Sequence, residues 1–95
     1  MSWLVVLRPV RAEMAFEPTE EESRVISDHY GYLVGLRDTG KLVVAGPSIV
    51  VGDTIGIGVL EVDEEDEARA IVAADPAIID GVMTAEIRPF RIAVR

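Results

Sequence analysis

The sequence predicts an α+β sandwich with its elements in the order β-α-β-β-α-β, and three observations carry the prediction. Short apolar runs rich in β-branched residues alternate with two amphipathic segments fronted by acids. Glycine and proline punctuate the chain where each run ends. At 95 residues there is room for one core and no second domain, so residues 1–95 are read as a single domain.

The first strand is Trp3 to Arg8, a compact apolar run closed by Pro9, the pattern of a strand buried on both faces. Thr19 and Glu22 then form a T-x-x-E capping box, which starts the first helix near Glu20. Val25, Ile26, His29, Leu33 and Leu36 recur at three- and four-residue intervals along one stripe until Asp38-Thr39-Gly40 stops the helix. Leu42 to Ala45 reads as a short strand ended by Gly46-Pro47, and Thr54 to Val62 as its hairpin partner across an enlarged loop holding Gly52 and Asp53. Asp63 is expected to cap the second helix, with Ala68, Ile71 and Val72 facing inward and Asp75-Pro76 at its end. Gly81 marks the last turn, and Val82 to Val94 reads as a final strand in which Pro89, having no N–H to donate, requires an edge position.

This order fits a ferredoxin-like sandwich, with strands one and three central and two right-handed crossover helices on one sheet face. Two helices cannot cover both faces. Strand one offers Trp3, Val5 and Leu7 on one side and Leu4 and Val6 on the other, and strand three offers Ile55, Ile57 and Val59 against Leu60 and Val62. A monomer would leave an apolar patch larger than soluble monomers tolerate, so a homodimer is expected to close the second face.

Composition narrows the partners. Seventeen acidic side chains against nine basic give a formal charge of -8, so nucleic acid and anionic membranes would be repelled over most of the surface. No cysteine is present, which removes disulfides, thiolate metal sites and a cysteine nucleophile and fits a reducing compartment. The start MSWLVVLRP has no basic n-region and an apolar run too short for a signal core or a membrane span, so a cytoplasmic location is expected.

Two residues carry candidate chemistry. His29 has the side chain best suited to proton transfer near neutrality, although a lone histidine on an apolar helical face is more commonly a satisfied core residue. Asp75 is expected at the C-terminal end of helix two, where the helix dipole disfavours its charge by about 0.3 to 1 kcal/mol and calls for compensation; the plainer reading is an Asp-Pro turn. Facing each other, the two would make a carboxylate-oriented imidazole. The acidic runs Glu20 to Glu22 and Asp63 to Glu67 read as solvated helix starts and lack the spacing of a calcium loop, so no metal is assigned. Gly52, Gly56 and Gly58 do not form a phosphate cradle, because two of them lie inside a strand with no helix following. Arg8, Arg88 and Arg91 on neighbouring strands could draw in an acidic small molecule, with surface pairing to Glu and Asp the plainer reading.

His29, Gly40, the Ala45-Gly46-Pro47 triplet, the strand before Asp63, Asp75-Pro76, Gly81 and Arg88-Pro89-Phe90, in this order and spacing, resemble the YCII-related family over nearly the whole chain. The resemblance implies a ferredoxin-like fold of the dimeric α/β-barrel superfamily. It also implies that His29 and Asp75 correspond to the family's histidine and aspartate, proposed to form an active site in a cleft. Enzymatic relatives act on small cyclic or aromatic compounds by proton transfer, including dehydrochlorination of a hydroxylated ring, and related barrels include lactone isomerases and cofactor-free oxygenases. The expected function is therefore acid–base chemistry of a lyase, dehydrochlorinase or isomerase kind, without a cofactor, with Tyr32, Gly46, Pro47 and Ser48 binding the small-molecule substrate. The alternative is a noncatalytic metabolite-binding or assembly module in which the pair only ties the helices together. Geometry separates them: catalysis needs one imidazole nitrogen free in a cavity, whereas the structural role buries and bonds both.

Overall fold

The computed structural model describes residues 1–95. It holds four strands, β1 (Ser2–Pro9), β2 (Leu42–Ser48), β3 (Ile55–Glu61) and β4 (Met83–Phe90), and three helices, α1 (Glu20–Asp38), α2 (Glu65–Ala73) and α3 (Pro76–Ile79). The strands form one antiparallel sheet in the order β2-β3-β1-β4, the ferredoxin-like arrangement. A 3₁₀ turn, Ala12–Ala15, lies between β1 and α1.

The register sorts the side chains by face. Trp3 pairs with Leu60, Val5 with Gly58 and Leu7 with Gly56, and on the other side Val5 pairs with Ile87. These residues look toward the helices, where Trp3, Val5, Leu7, Leu42, Leu60, Val62 and Ala68 form the core. The Trp3 indole N–H donates to the Val62 carbonyl at 3.1 Å, so the one tryptophan is buried with its polar atom satisfied. Leu4 opposite Val59, Val6 opposite Ile57, and Val44 opposite Val59 occupy the other face, which no helix covers.

The helix ends follow from local chemistry. At the start of α1 the Thr19 hydroxyl accepts from Glu22 N–H at 3.0 Å while the Glu22 carboxylate accepts from Thr19 N–H at 2.8 Å, the reciprocal box expected. Gly40, with φ of +78°, takes the left-handed turn that ends the helix.

Three expectations are corrected. β2 continues through Gly46 and Pro47 to Ser48 rather than stopping at Ala45. It is an outer strand, where a missing N–H costs no ladder bond. β4 ends at Phe90 instead of Val94, because Phe90 pairs with Ser2 and the partner strand has no residues left to offer. The N-cap of α2 is Glu64, not Asp63, and no side chain closes that first turn, which burial of Ala68 anchors instead. Asp75 stands just past the C-cap of α2 and also opens the separate short helix α3. No helix is long and apolar enough to cross a membrane.

Candidate active site

His29 projects from the inward stripe of α1, and Asp75 meets it from the start of α3. Both are buried, at 6% and 4% exposure. His29 Nδ1 lies 2.8 Å from each carboxylate oxygen of Asp75, and Oδ1 also accepts from the Ala77 N–H at 2.9 Å. The aspartate is thus held by the helix it caps, with Pro76 preset at the first helical position. Asp75 follows the Ala74 C-cap of α2, its own N–H donating to the Val72 carbonyl at 3.1 Å, and the Ala77 N–H and the His29 ring compensate its charge there.

This geometry fixes the imidazole. A carboxylate can only accept, so Nδ1 carries the proton and the neutral ring presents an unprotonated Nε2. Nε2 has no protein partner, yet no fully buried side-chain nitrogen or oxygen in the chain lacks one. Nε2 therefore keeps accessible surface, and His29 and Asp75 help to line a cleft of about 590 Å³.

The cleft is mainly apolar. Its floor is the helix-facing side of the sheet, with Val5, Leu7, Leu42, Gly56 and Gly58; its wall is the α1 stripe of Ser23, Ile26, His29 and Leu33. The glycines of β3 thereby acquire a reason. A Cβ on Gly56 would lie 3.5 Å from Leu7 and one on Gly58 3.7 Å from Leu42, so both positions accept a methyl group, and anything larger would fill the cleft.

The remaining candidates divide. Tyr32, Gly46 and Pro47 line the cleft, whereas Ser48, the last residue of β2, does not. The Tyr32 hydroxyl donates to the Ile71 carbonyl, tying α1 to α2. Burial, and secondarily the charge of Asp75, raises its pKa above the ordinary phenol value, so it stays protonated. The arginines Arg8, Arg88 and Arg91 form no ion pair and stand apart from the cleft, whose one cationic lining residue, Arg37, pairs with Asp38.

One feature reads differently from the sequence expectation. Glu22 is not a solvated helix-start acid; Arg11 donates to its two oxygens at 3.0 and 2.7 Å and to the Glu17 carbonyl at 2.7 Å. The Arg11 hydrogen bonds, with the Thr19 N–H second, hold the Glu22 pKa down at about 2. This fastens the segment between β1 and α1, which brings Met14, Ala15 and Pro18 to the cleft. Its polar, irregular sequence carries no periodic signal from which the placement could have been read. No group of three or more His, Cys, Asp or Glu stands close enough to hold a metal ion.

Comparison with known proteins agrees with this architecture. The family model of the YCII-related domain matches residues 1–91. Among solved structures, the chain is similar to 5-chloro-2-hydroxyhydroquinone dehydrochlorinase (TftG) from Burkholderia phenoliruptrix AC1100, in complex with 2,5-dihydroxybenzoquinone. The TM-score is 0.76 at 19% identity, covering 96% of this chain and 94% of that one. No curated protein matches the chain.

Proposed function

The chain belongs to the YCII-related family, and from that premise we propose that it is a small-molecule enzyme in which His29 and Asp75 perform acid–base chemistry on a small cyclic or aromatic compound. The observation that carries the reading is the asymmetry of the histidine. One ring nitrogen is bonded to a buried carboxylate, and the other is free at an apolar cleft large enough for a single-ring ligand. A histidine kept only for packing would have both nitrogens bonded.

The chemistry follows from that arrangement. Nε2 takes a proton from a ring hydroxyl or an activated ring carbon, the Asp75 carboxylate stabilises the imidazolium that forms, and the imidazolium returns the proton to another ring position, which completes an isomerisation. In an elimination that position is the chlorine-bearing carbon, and Nε2 then takes a second hydroxyl proton as the C–Cl bond breaks and chloride leaves with the bonding electron pair. Apolar walls hold the ring and keep water from competing for the proton. The structural neighbour, a dehydrochlorinase seen with a dihydroxybenzoquinone, supports elimination or isomerisation on a hydroxylated ring as the reaction class. Tyr32, Gly46 and Pro47 serve as binding surface in this reading.

Homodimerisation is part of the proposal. The chain by itself buries only 15 of its 95 residues, and Val44 and Ile57 on the uncovered face are 60% and 39% exposed. A second copy would cover this face, and because Val44 and Ile57 also line the cleft it would close the cleft along β2 and β3.

The test is proton exchange and leaving-group release. Chlorinated and unsubstituted hydroquinones are incubated with the protein in D₂O, with ring deuteration followed by NMR and chloride release in parallel. The reading expects turnover with at least one ring compound, and a loss of 10² or more in His29→Gln. Equal rates in the wild type and His29→Gln would sink it, and binding without exchange would favour the noncatalytic module.

A further inference from the structure

The wall of the cleft contributed by the segment between β1 and α1 is built differently from the others. Met14 is 6% exposed, yet it does not belong to the core formed by the sheet and helices. Its burial comes from the place to which the 3₁₀ turn is fastened. That turn is secured by the Met14 N–H on the Arg11 carbonyl at 3.0 Å and by the Arg11 guanidinium, which spans the Glu22 carboxylate of α1 and the Glu17 carbonyl. Arg11 thus closes a loop of chain from both ends and presents Met14 to the cleft.

We propose that Met14 is a specificity-determining residue, setting the upper size limit of the ring the cleft accepts, and that Arg11 and Glu22 are the positioning residues that hold it there. The inference rests on the reading of the cleft as a binding site for a small ring compound. The sheet floor and the α1 wall are fixed by the core, so a ligand cannot enlarge the cleft in those directions without disturbing packed residues. Met14 stands on a turn held by polar contacts, and its unbranched thioether is the most adaptable apolar side chain. Truncating it adds room without breaking the core, whereas releasing Arg11 lets the whole wall move. Neither change touches the bond between His29 and Asp75.

The chain contains three methionines, and they provide an internal control: Met14 and Met83 line the cleft, and Met1 does not. Protein labelled with ¹³C at the methionine methyls is titrated with phenol as a one-ring probe and with naphthol as a two-ring probe. In the wild type, phenol should shift the Met14 and Met83 methyl signals and leave Met1 unmoved, and naphthol should bind more weakly. Met14→Ala should lower the naphthol-to-phenol ratio of Kd values about tenfold, the scale of added room in an apolar pocket. Arg11→Gln should lower it in the same direction while the His29 Nδ1–H resonance persists, a combination that general unfolding would not give. If phenol shifts Met83 but not Met14, or if Met14→Ala leaves the ratio unchanged, the assignment of Met14 is wrong although the cleft still binds. If neither Met14 nor Met83 responds to either probe, the binding reading fails and the assignment with it.

Discussion

Replacing Asp75 with alanine tests the site through stability, without needing a substrate. Its carboxylate accepts from two buried donors, His29 Nδ1–H at 2.8 Å and Ala77 N–H at 2.9 Å. Asp75→Ala leaves the imidazole N–H without an acceptor in a site 6% exposed, at about 1 to 3 kcal/mol. It also removes the N-cap of α3, at about 1 kcal/mol. The combined loss of about 2 to 4 kcal/mol is a large share of the roughly 5 to 15 kcal/mol that holds a domain of this size, and corresponds to a fall in Tm of at least about 8 °C. Asp75→Asn should behave differently. The amide oxygen still accepts from Ala77, so the cap survives and the loss falls to about 1 kcal/mol, but the amide nitrogen cannot accept from Nδ1–H. The tautomer reverses and Nε2 ceases to be a base, so activity is lost out of proportion to stability. Urea unfolding followed by the fluorescence of Trp3, the only tryptophan, at fixed protein concentration reports both variants. An Asp75→Ala protein within about 0.5 kcal/mol of the wild type would refute the reasoning, because that is the range of an uninvolved surface position.

Three further outcomes are expected. The Glu22 carboxylate, lowered from 4.5 to about 2 by Arg11 and Thr19, contributes stability that is present above pH 4.5 and lost as pH falls through about 2. Thermal unfolding of Glu22→Gln should therefore lie below the wild type at neutral pH and converge with it in strong acid; a difference that does not change with pH would contradict this. Light scattering should find a dimer in the wild type and a monomer in Val6→Glu or Ile57→Lys, with an interface well above the roughly 800 Å² of casual contacts. A monomeric wild type at micromolar concentration would remove the second copy from the account. Gly56→Ala should fold normally and bind phenol, since its Cβ makes only an ordinary contact with Leu7, whereas Gly56→Leu should weaken phenol binding tenfold or more; unchanged affinity in the leucine variant would place the ligand elsewhere.

Much of this molecule is legible in its residues, for identifiable reasons. The capping box at Thr19 and Glu22, the 3.6-residue stripe through His29 and the turns at Gly40 and Gly81 are local signals, and the structure repeats them. The two apolar faces of β1 and β3 follow from strict alternation, which the register preserves. Features that depend on distant partners were harder to read. The end of β4 is set by where β1 begins, and the extension of β2 through Pro47 depends on its being an outer strand. Asp75 does stand at the C-terminal end of α2, one residue past its C-cap, but that it also opens α3 leaves no sequence signal, and its pairing with His29 across 46 residues is legible only through family resemblance. Ser48 follows Pro47 into the expected site by proximity in sequence, and it lies at the end of β2 just beyond the residues that line the cleft. The role of Arg11 and Met14 was invisible, because an ion pair between a loop and a helix start leaves no periodic trace.

The central claim is that the histidine presents a bare Nε2 to the cleft while Asp75 holds the proton on Nδ1. The chain has one histidine, so its ring nitrogens give unambiguous ¹⁵N signals. Long-range ¹H–¹⁵N spectra of the neutral ring should show a protonated Nδ1 and an unprotonated Nε2 in the wild type, and the Nε2 signal should move when phenol is added. A ring protonated at Nε2 in the wild type, or an Nε2 signal indifferent to every ring compound that binds, would contradict the account.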